Sequence, residues 1–309
     1  MYIIIKKDNK GNYMKHKEFQ LLTNNDIELI TKYSKLTNYS ECNHNLSGYF
    51  IWQQPYPIYF YQEENFILLI GLYERELYLY MPLCTQEYFS IALIKAKDIF
   101  HQNKVKLILS AYSYEEALLA KKTLPSLNIK EIEESYDYIY LVDKLITFSG
   151  KKLQKKRNHL NYFYNTYHNA YSYEKINHTN INECISLLDI WEDSTITTDK
   201  NNEYDAIINT FKLWDKLPLK GGLIRINNVV QAFSIGSMLN NDMCQIHFEK
   251  ANEKIRGLYQ AICKELLIHE FKNVTYVNRE DDMGIENLRK SKEAYNPIKL
   301  IRKYKLWED

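Results

Sequence analysis

Five positive charges crowd into seven residues at Lys151, Lys152, Lys155, Lys156 and Arg157, inside the segment GKKLQKKRNHLNYFYNTYH (150–168). Leu153, Leu160 and Phe163 keep a helical apolar stripe beneath them, so the segment reads as an amphipathic helix with a basic face. Cations on one helical face suit phosphates, whether of nucleic acid, a lipid headgroup or a nucleotide-linked substrate. A merely solvated helix would carry similar charges. Here, however, the whole chain has a net charge of only +1, so the cluster is local, and Tyr162, Phe163, Tyr164 and Tyr167 follow it closely. A second constellation is NREDDMGIENLRKSKEAYNPIKL (278–300). Its acidic residues follow an apolar strand and favour the N-terminus of the next helix. Met283-Gly284 supplies the turn, Pro297 ends the element, and Arg289 and Lys292 share a helical face. Structural needs explain the glycine and proline; they do not explain the two cations.

The elements that would position these residues repeat along the chain. In the first half, 65–83 reads as two apolar strands across a charged turn, followed by a helix at 87–102 with Phe89, Leu93, Ala96 and Phe100 on one stripe. A strand at 105–110, a helix at 114–124 and a final strand at 136–142 complete it. In the second half, 221–239 holds two strands joined at Asn227-Asn228, and 243–251 pairs back after Asn240-Asn241-Asp242. A helix at 258–271, a strand at 274–280, a helix at 285–294 and a last strand at 298–307 follow. The basic helix and another at 180–196 lie between the two sets. The order of antiparallel meander, helix, strand, helix, strand is that of the GNAT acyltransferase fold. Two copies imply an α+β, tandem duplicated GNAT (acyl-CoA N-acyltransferase-like) chain, with mixed, mostly antiparallel sheets flanked by helices. The expected domains are residues 1–148 and residues 149–309, the basic helix opening the second.

In that fold the loop before the long helix normally reads Q/R-x-x-G-x-G/A and holds the coenzyme A pyrophosphate with its backbone N–H groups. The corresponding stretch, EKANEKIRGLYQAI (249–262), keeps a basic first position at Lys254 and the first glycine at Gly257, but Tyr259 replaces the last small residue. Such bulk obstructs close approach of a phosphate to the backbone. The first copy, CTQEYFSIAL (84–93), has no glycine there. Glu249, at the strand end before the loop, is the candidate general base, with a solvated strand end as the plainer reading. His247, two residues earlier, reads as a packing residue.

Composition bounds the remaining choices. The chain has 309 residues, 45% apolar and 26% charged, as in a soluble globular protein. No apolar run reaches the length needed to cross a bilayer, and the opening MYIIIKKDNKGNY is too quickly charged for a secretory signal. Five dispersed cysteines without a C-x-x-C pair suit a reducing, cytoplasmic setting. The histidines form no metal-binding spacing, so no metal site is expected.

SGKKLQKKRNHLNYF (149–163) and NREDDMGIENLRKSKEAYNPIKLIRKYKL (278–306) resemble a bacterial family of uncharacterised proteins. That family is similar to the C-terminal domain of phosphatidylglycerol lysyltransferases. ECNHNLSGYFIWQQPYPIYFY (41–61) and the loop at 249–262 share the resemblance, which therefore covers nearly the entire chain. It implies a tandem GNAT fold related to Fem-type transferases that take an amino acid from aminoacyl-tRNA. Arg157, Asn158, Arg289 and Lys292 would be counterparts of site residues. The expectation is an acyltransferase moving an aminoacyl group from aminoacyl-tRNA to an amine or hydroxyl of a small molecule, peptide or lipid headgroup, with no tightly bound cofactor. A cleft between the copies would hold the donor, with Lys155, Arg157 and Arg289 neutralising phosphate. The rivals are an acyl-CoA-dependent N-acetyltransferase and a non-catalytic module that binds RNA or another phosphate-bearing ligand.

Overall fold

The computed structural model describes residues 3–7, 13–16, 19–73, 76–193 and 198–309, with side chains described for 19–73, 76–190 and 202–309. The chain forms two compact units, one of Met1–Tyr136 with Ile301–Asp309 and the other of Asp137–Leu300.

The first unit opens with the hairpin β1 (Ile3–Lys7) and β2 (Tyr13–His16), then β3 (Gln20–Leu21), α1 (Ile27–Ser34) and α2 (Leu46–Ile51). A meander follows: β4 (Ile58–Gln62), β5 (Phe66–Tyr73), β6 (Glu76–Leu79) and the short β7 (Leu83–Cys84). Next come α3 (Phe89–Gln102), β8 (Ile108–Tyr112), α4 (Tyr114–Thr123) and β9 (Asn128–Glu131). The stripe of Phe89, Leu93, Ala96 and Phe100 is buried against the sheet, as its spacing predicts. Ser113 caps α4 by accepting the Glu116 N–H at 3.2 Å.

The second unit begins with β10 (Asp137–Leu141), α5 (Val142–Thr147) and the basic helix α6 (Gln154–Tyr167). It continues through β11 (Tyr171–Lys175), α7 (Ile181–Asp193), α8 (Thr198–Lys212), β12 (Leu219–Ile226), β13 (Val229–Met238) and β14 (Met243–Ala251). The last elements are α9 (Leu258–Glu270), β15 (Tyr276–Asn278), α10 (Glu286–Glu293) and β16 (Lys299–Ile301). Asn227 and Asn228 both take positive φ, 51° and 65°, the turn a two-residue hairpin requires. Antiparallel β12, β13 and β14 form the centre of the sheet, and β14 runs parallel to β15. Cys244, Ile246 and Ala251 of β14 pack with Leu258, Ile262, Leu266 and Phe271 in one core.

The strand order is β11-β12-β13-β14-β15-β10-β16 in the second unit and β3-β4-β5-β6-β8-β17-β9 in the first, where β17 (Tyr304–Trp307) is the chain's last strand. Two mixed sheets flanked by helices are thus the observed fold class, as expected. Strand membership differs from the simple succession of copies. The segment 136–142, read as the end of the first copy, lies between β15 and β16, and 298–307 divides into β16 and β17 in different sheets. The compact units accordingly part at 136/137 rather than 148/149, and the first regains residues 301–309. Burial gives the reason. Asp137 to Tyr140 are buried in succession, which suits an interior strand, and Leu306 is fully enclosed between β8 and β9.

Candidate functional site

Strand β14 carries Glu249 toward α9 and β15. There Glu249 Oε1 accepts a hydrogen bond from the Arg279 guanidinium at 2.9 Å, the two side chains being 9% and 17% exposed. Burial pushes the Glu249 carboxyl up, against the downward pull of Arg279 and the Cys263 thiol. Burial alone would lower Arg279, but Glu249 together with Cys263, Tyr295 and Tyr140 outweighs it and holds the guanidinium well above its ordinary range. Glu249 Oε2 accepts no hydrogen bond among the described residues.

The Arg279 guanidinium also lies 4.7 Å from the ring centre of Tyr295, and the Lys156 ammonium lies 4.0 Å from the same ring. Tyr295 Oη is fixed by the Gln260 side-chain amide at 2.8 Å. Burial, then Arg279 and Lys155, pull Lys156 down to about 8, while Glu249 partly opposes them. A buried carboxylate, a guanidinium, an aromatic ring and a weakened ammonium therefore meet beside α9.

Lys156 comes from α6, whose placement depends on Gly257. A Cβ at Gly257 would stand 2.1 Å from the His159 carbonyl oxygen and 3.0 Å from Phe163 Cβ, and its φ is +86°. The backbone approach that demands a glycine here is that of α6. Lys155, Asn158 and Lys254 are exposed, with Lys151 and Lys152 beside the first two. The Arg256 guanidinium lies 4.8 Å from the Tyr162 ring centre. Burial and then Arg256, Lys155 and Lys156 depress His159, so these cations share one electrostatic neighbourhood.

The remaining expected cations are engaged within the protein. Arg157 donates to the carbonyls of Phe148 and Gly150 and so closes the end of α5. Arg289 pairs with Asp282 through Nε at 2.8 Å and Nη2 at 3.2 Å. Burial alone would raise Asp282; hydrogen bonds from Arg289, Tyr138 and the Gly284 N–H outweigh it and hold the carboxyl below its usual range. Lys292 donates to the carbonyls of Arg279 and Glu280. Arg289 and Lys292 therefore brace the loop around Arg279, which answers why that stretch is so densely charged. Sequence reasoning did not single out Arg279, Tyr295 or Lys156 as a group. The usable signals were an arginine directly after a strand and the tyrosine of Tyr295-Asn296-Pro297.

Lysine at position 156 has a measurable signature. The folded protein releases its proton from about 8, whereas the unfolded chain keeps it to the ordinary 10.5, so the unfolded state binds more protons in that window. Wild-type stability should therefore rise relative to Lys156→Met as pH climbs from about 8 to 10.5. Thermal unfolding of both proteins at a series of pH values checks this, and a constant difference would contradict it.

Among the described residues no helix is long and apolar enough to cross a membrane. The profile of the family described as "Phosphatidylglycerol lysyltransferase, C-terminal" matches residues 34–306. The chain belongs to that family. In three dimensions it is similar to a conserved protein of unknown function from Bacteroides thetaiotaomicron, 29% identical, covering 94% of this chain and 99% of that one, with a TM-score of 0.88. It also resembles the structure of L-PGS from Bacillus licheniformis, at 13% identity, 91% coverage of both chains and a TM-score of 0.67; that likeness is one of fold. An uncharacterised protein of Mycoplasmoides gallisepticum is 29% identical over 176 residues, 56% of this chain and 56% of that relative's length.

Proposed function

We propose that the protein transfers an aminoacyl group from aminoacyl-tRNA to an amine or hydroxyl acceptor, with the Glu249–Arg279–Tyr295–Lys156 group as its reaction centre. The observation that carries this reading is the unpartnered Oε2 of a buried carboxyl beside Arg279 and Lys156. Attack on an aminoacyl ester needs a base for the nucleophile's proton and positive charge where the carbonyl oxygen becomes negative. Glu249 Oε2 takes the proton, its basicity raised by burial. The Lys156 ammonium stabilises the oxyanion, and Arg279 orients the Glu249 carboxyl and partly offsets the upward push of burial. Collapse of the tetrahedral intermediate expels the tRNA ribose oxygen, which takes the proton that Glu249 received and returns the carboxyl to its starting state. Family membership supports the reaction class, and the exposed Lys151, Lys152, Lys155, Lys254 and Arg256 supply charge for a polyanionic donor. Acyl-CoA is disfavoured as donor because the α6 backbone occupies the space beside Gly257.

The test is transfer of a labelled amino acid from bulk charged tRNA to amine and hydroxyl acceptors, with binding followed in parallel. Replacing Lys151, Lys152 and Lys155 together with glutamine should weaken charged-tRNA binding and flatten its salt dependence by roughly one in log–log slope per lysine. Lys156→Met should leave binding largely intact and lower transfer roughly 100-fold or more. Tight acyl-CoA binding without preference for charged tRNA would sink this reading and restore the N-acetyltransferase alternative. Salt-sensitive RNA binding with no turnover would leave only a binding module.

A further inference from the structure

On β14 a second polar group faces away from hydrogen-bonding satisfaction. His247 is the extra residue at a register shift, where Ile235 pairs with Phe248 and Gly236 with Ile246. Its side chain is fully buried and its Nε2 is 2.8 Å from Ser237 Oγ. Two residues earlier, Gln245 is 2% exposed and its amide N–H donates to Glu280 Oε1 at 2.7 Å. His247 Nδ1 faces that same oxygen at 3.7 Å, too far for a hydrogen bond. Two buried atoms are thereby left without partners, Gln245 Oε1 and His247 Nδ1. The amide orientation is set by its neighbour, since a carboxylate accepts only donors.

Glu280 is held in place for this arrangement. It takes a positive φ of 60°, unusual for a glutamate, and its N–H donates to Asn278 Oδ1 at 2.7 Å. Lys292 binds its backbone carbonyl rather than its carboxylate. Among the described residues no lysine or arginine lies within ion-pair distance of that carboxylate, which is 28% exposed and forms the open side of the group.

We infer that Gln245, His247 and Glu280 form a binding site for a primary ammonium group. A carboxylate without a cation, an amide oxygen and an imidazole nitrogen can accept three hydrogen bonds and supply one negative charge. A primary ammonium offers three donors and one positive charge. With Ser237 Oγ accepting the Nε2–H, Nδ1 is the accepting atom toward the ammonium. This site rests on the aminoacyl-transfer reading for its purpose, since an aminoacyl group carries an ammonium either at its α-carbon or on its side chain. The chemistry of the site is the same for both sources.

The experiment is calorimetric titration of the full chain, without tRNA, with three probes: L-alaninamide, n-butylammonium and the neutral lactamide. The site predicts binding of at least one ammonium probe and none of lactamide at equal concentration. Preference for alaninamide assigns the α-ammonium, and preference for butylammonium a side-chain ammonium. Glu280→Gln keeps the shape and should weaken binding about tenfold or more, and Gln245→Met should weaken it independently. Circular dichroism establishes that each variant is folded, and Gln245→Met serves if Glu280→Gln does not fold. Equal binding of lactamide and alaninamide, no binding of either ammonium, or unchanged affinity in folded variants would overturn the site and leave only an ordered water there. Probe binding without aminoacyl transfer would retain the site and remove the transfer reading; transfer without probe binding would do the reverse.

Discussion

Gly257→Ala should cost about 3 kcal/mol of stability or more, because two penalties coincide at one position. An alanine at φ +86° is strained by itself, and its Cβ would overlap the His159 carbonyl, a backbone atom that cannot rotate away. Gly150 separates the two contributions. Its φ is +99° but nothing lies within 4 Å of an added Cβ, so Gly150→Ala should lose only about 1 kcal/mol. Urea denaturation of both variants measures the difference. If the two losses were equal, α6 would not press on Gly257, and Lys156 would lose the support that brings it to Tyr295.

The second large effect lies in the buried pair. Arg279→Met leaves the buried Glu249 carboxyl without its guanidinium, and breaking a buried pair in this way typically costs about 3–5 kcal/mol. Adding Glu249→Gln should recover most of that loss, because the remaining neutral groups tolerate burial far better than an isolated charge. The single variant should also respond to pH in a defined direction. Without Arg279 the folded-state value of Glu249 rises further above the ordinary 4.5, so the folded protein binds more protons than the unfolded chain above that value. The deficit should therefore be small below about pH 4.5 and grow as pH rises through the elevated value. Both variants should lose transfer activity, which distinguishes a pair needed for chemistry from one needed only for folding: the double variant regains stability without regaining turnover.

Much of the architecture was legible in local pattern. The stripes of α3 and α9 and the Asn-Asn hairpin turn each follow from spacing that only one element satisfies. Strand β9, sequence NIKE, escaped notice because it is short, polar and at a sheet edge. The sheet membership of β10 and β17 was not legible, since an apolar strand reads alike in either sheet. The site divides similarly. Charge clustering located α6 correctly, yet consecutive helical residues point about 100° apart, so Lys155 faces solvent while Lys156 meets Tyr295. Which of the two turns inward depends on the seat of α6 against Gly257, a tertiary fact. Arg157, Arg289 and Lys292 matched the resemblance and are held by internal partners. His247 read as ordinary packing because its partners, Ser237 and Glu280, are distant along the chain.

The placement of β17 imposes an order on synthesis. A nascent chain can complete the meander, α3, β8, α4 and β9 before any of the second unit is translated. The gap between β8 and β9 nonetheless stays open until Tyr304–Trp307 emerges. Until then two strand edges and the core beneath Leu306 face solvent, and they attract other strands as readily as their own. A strand made after the whole second unit thus closes the first. For the same reason, a domain dissection at the midpoint of the sequence would yield an N-terminal fragment with a missing inner strand.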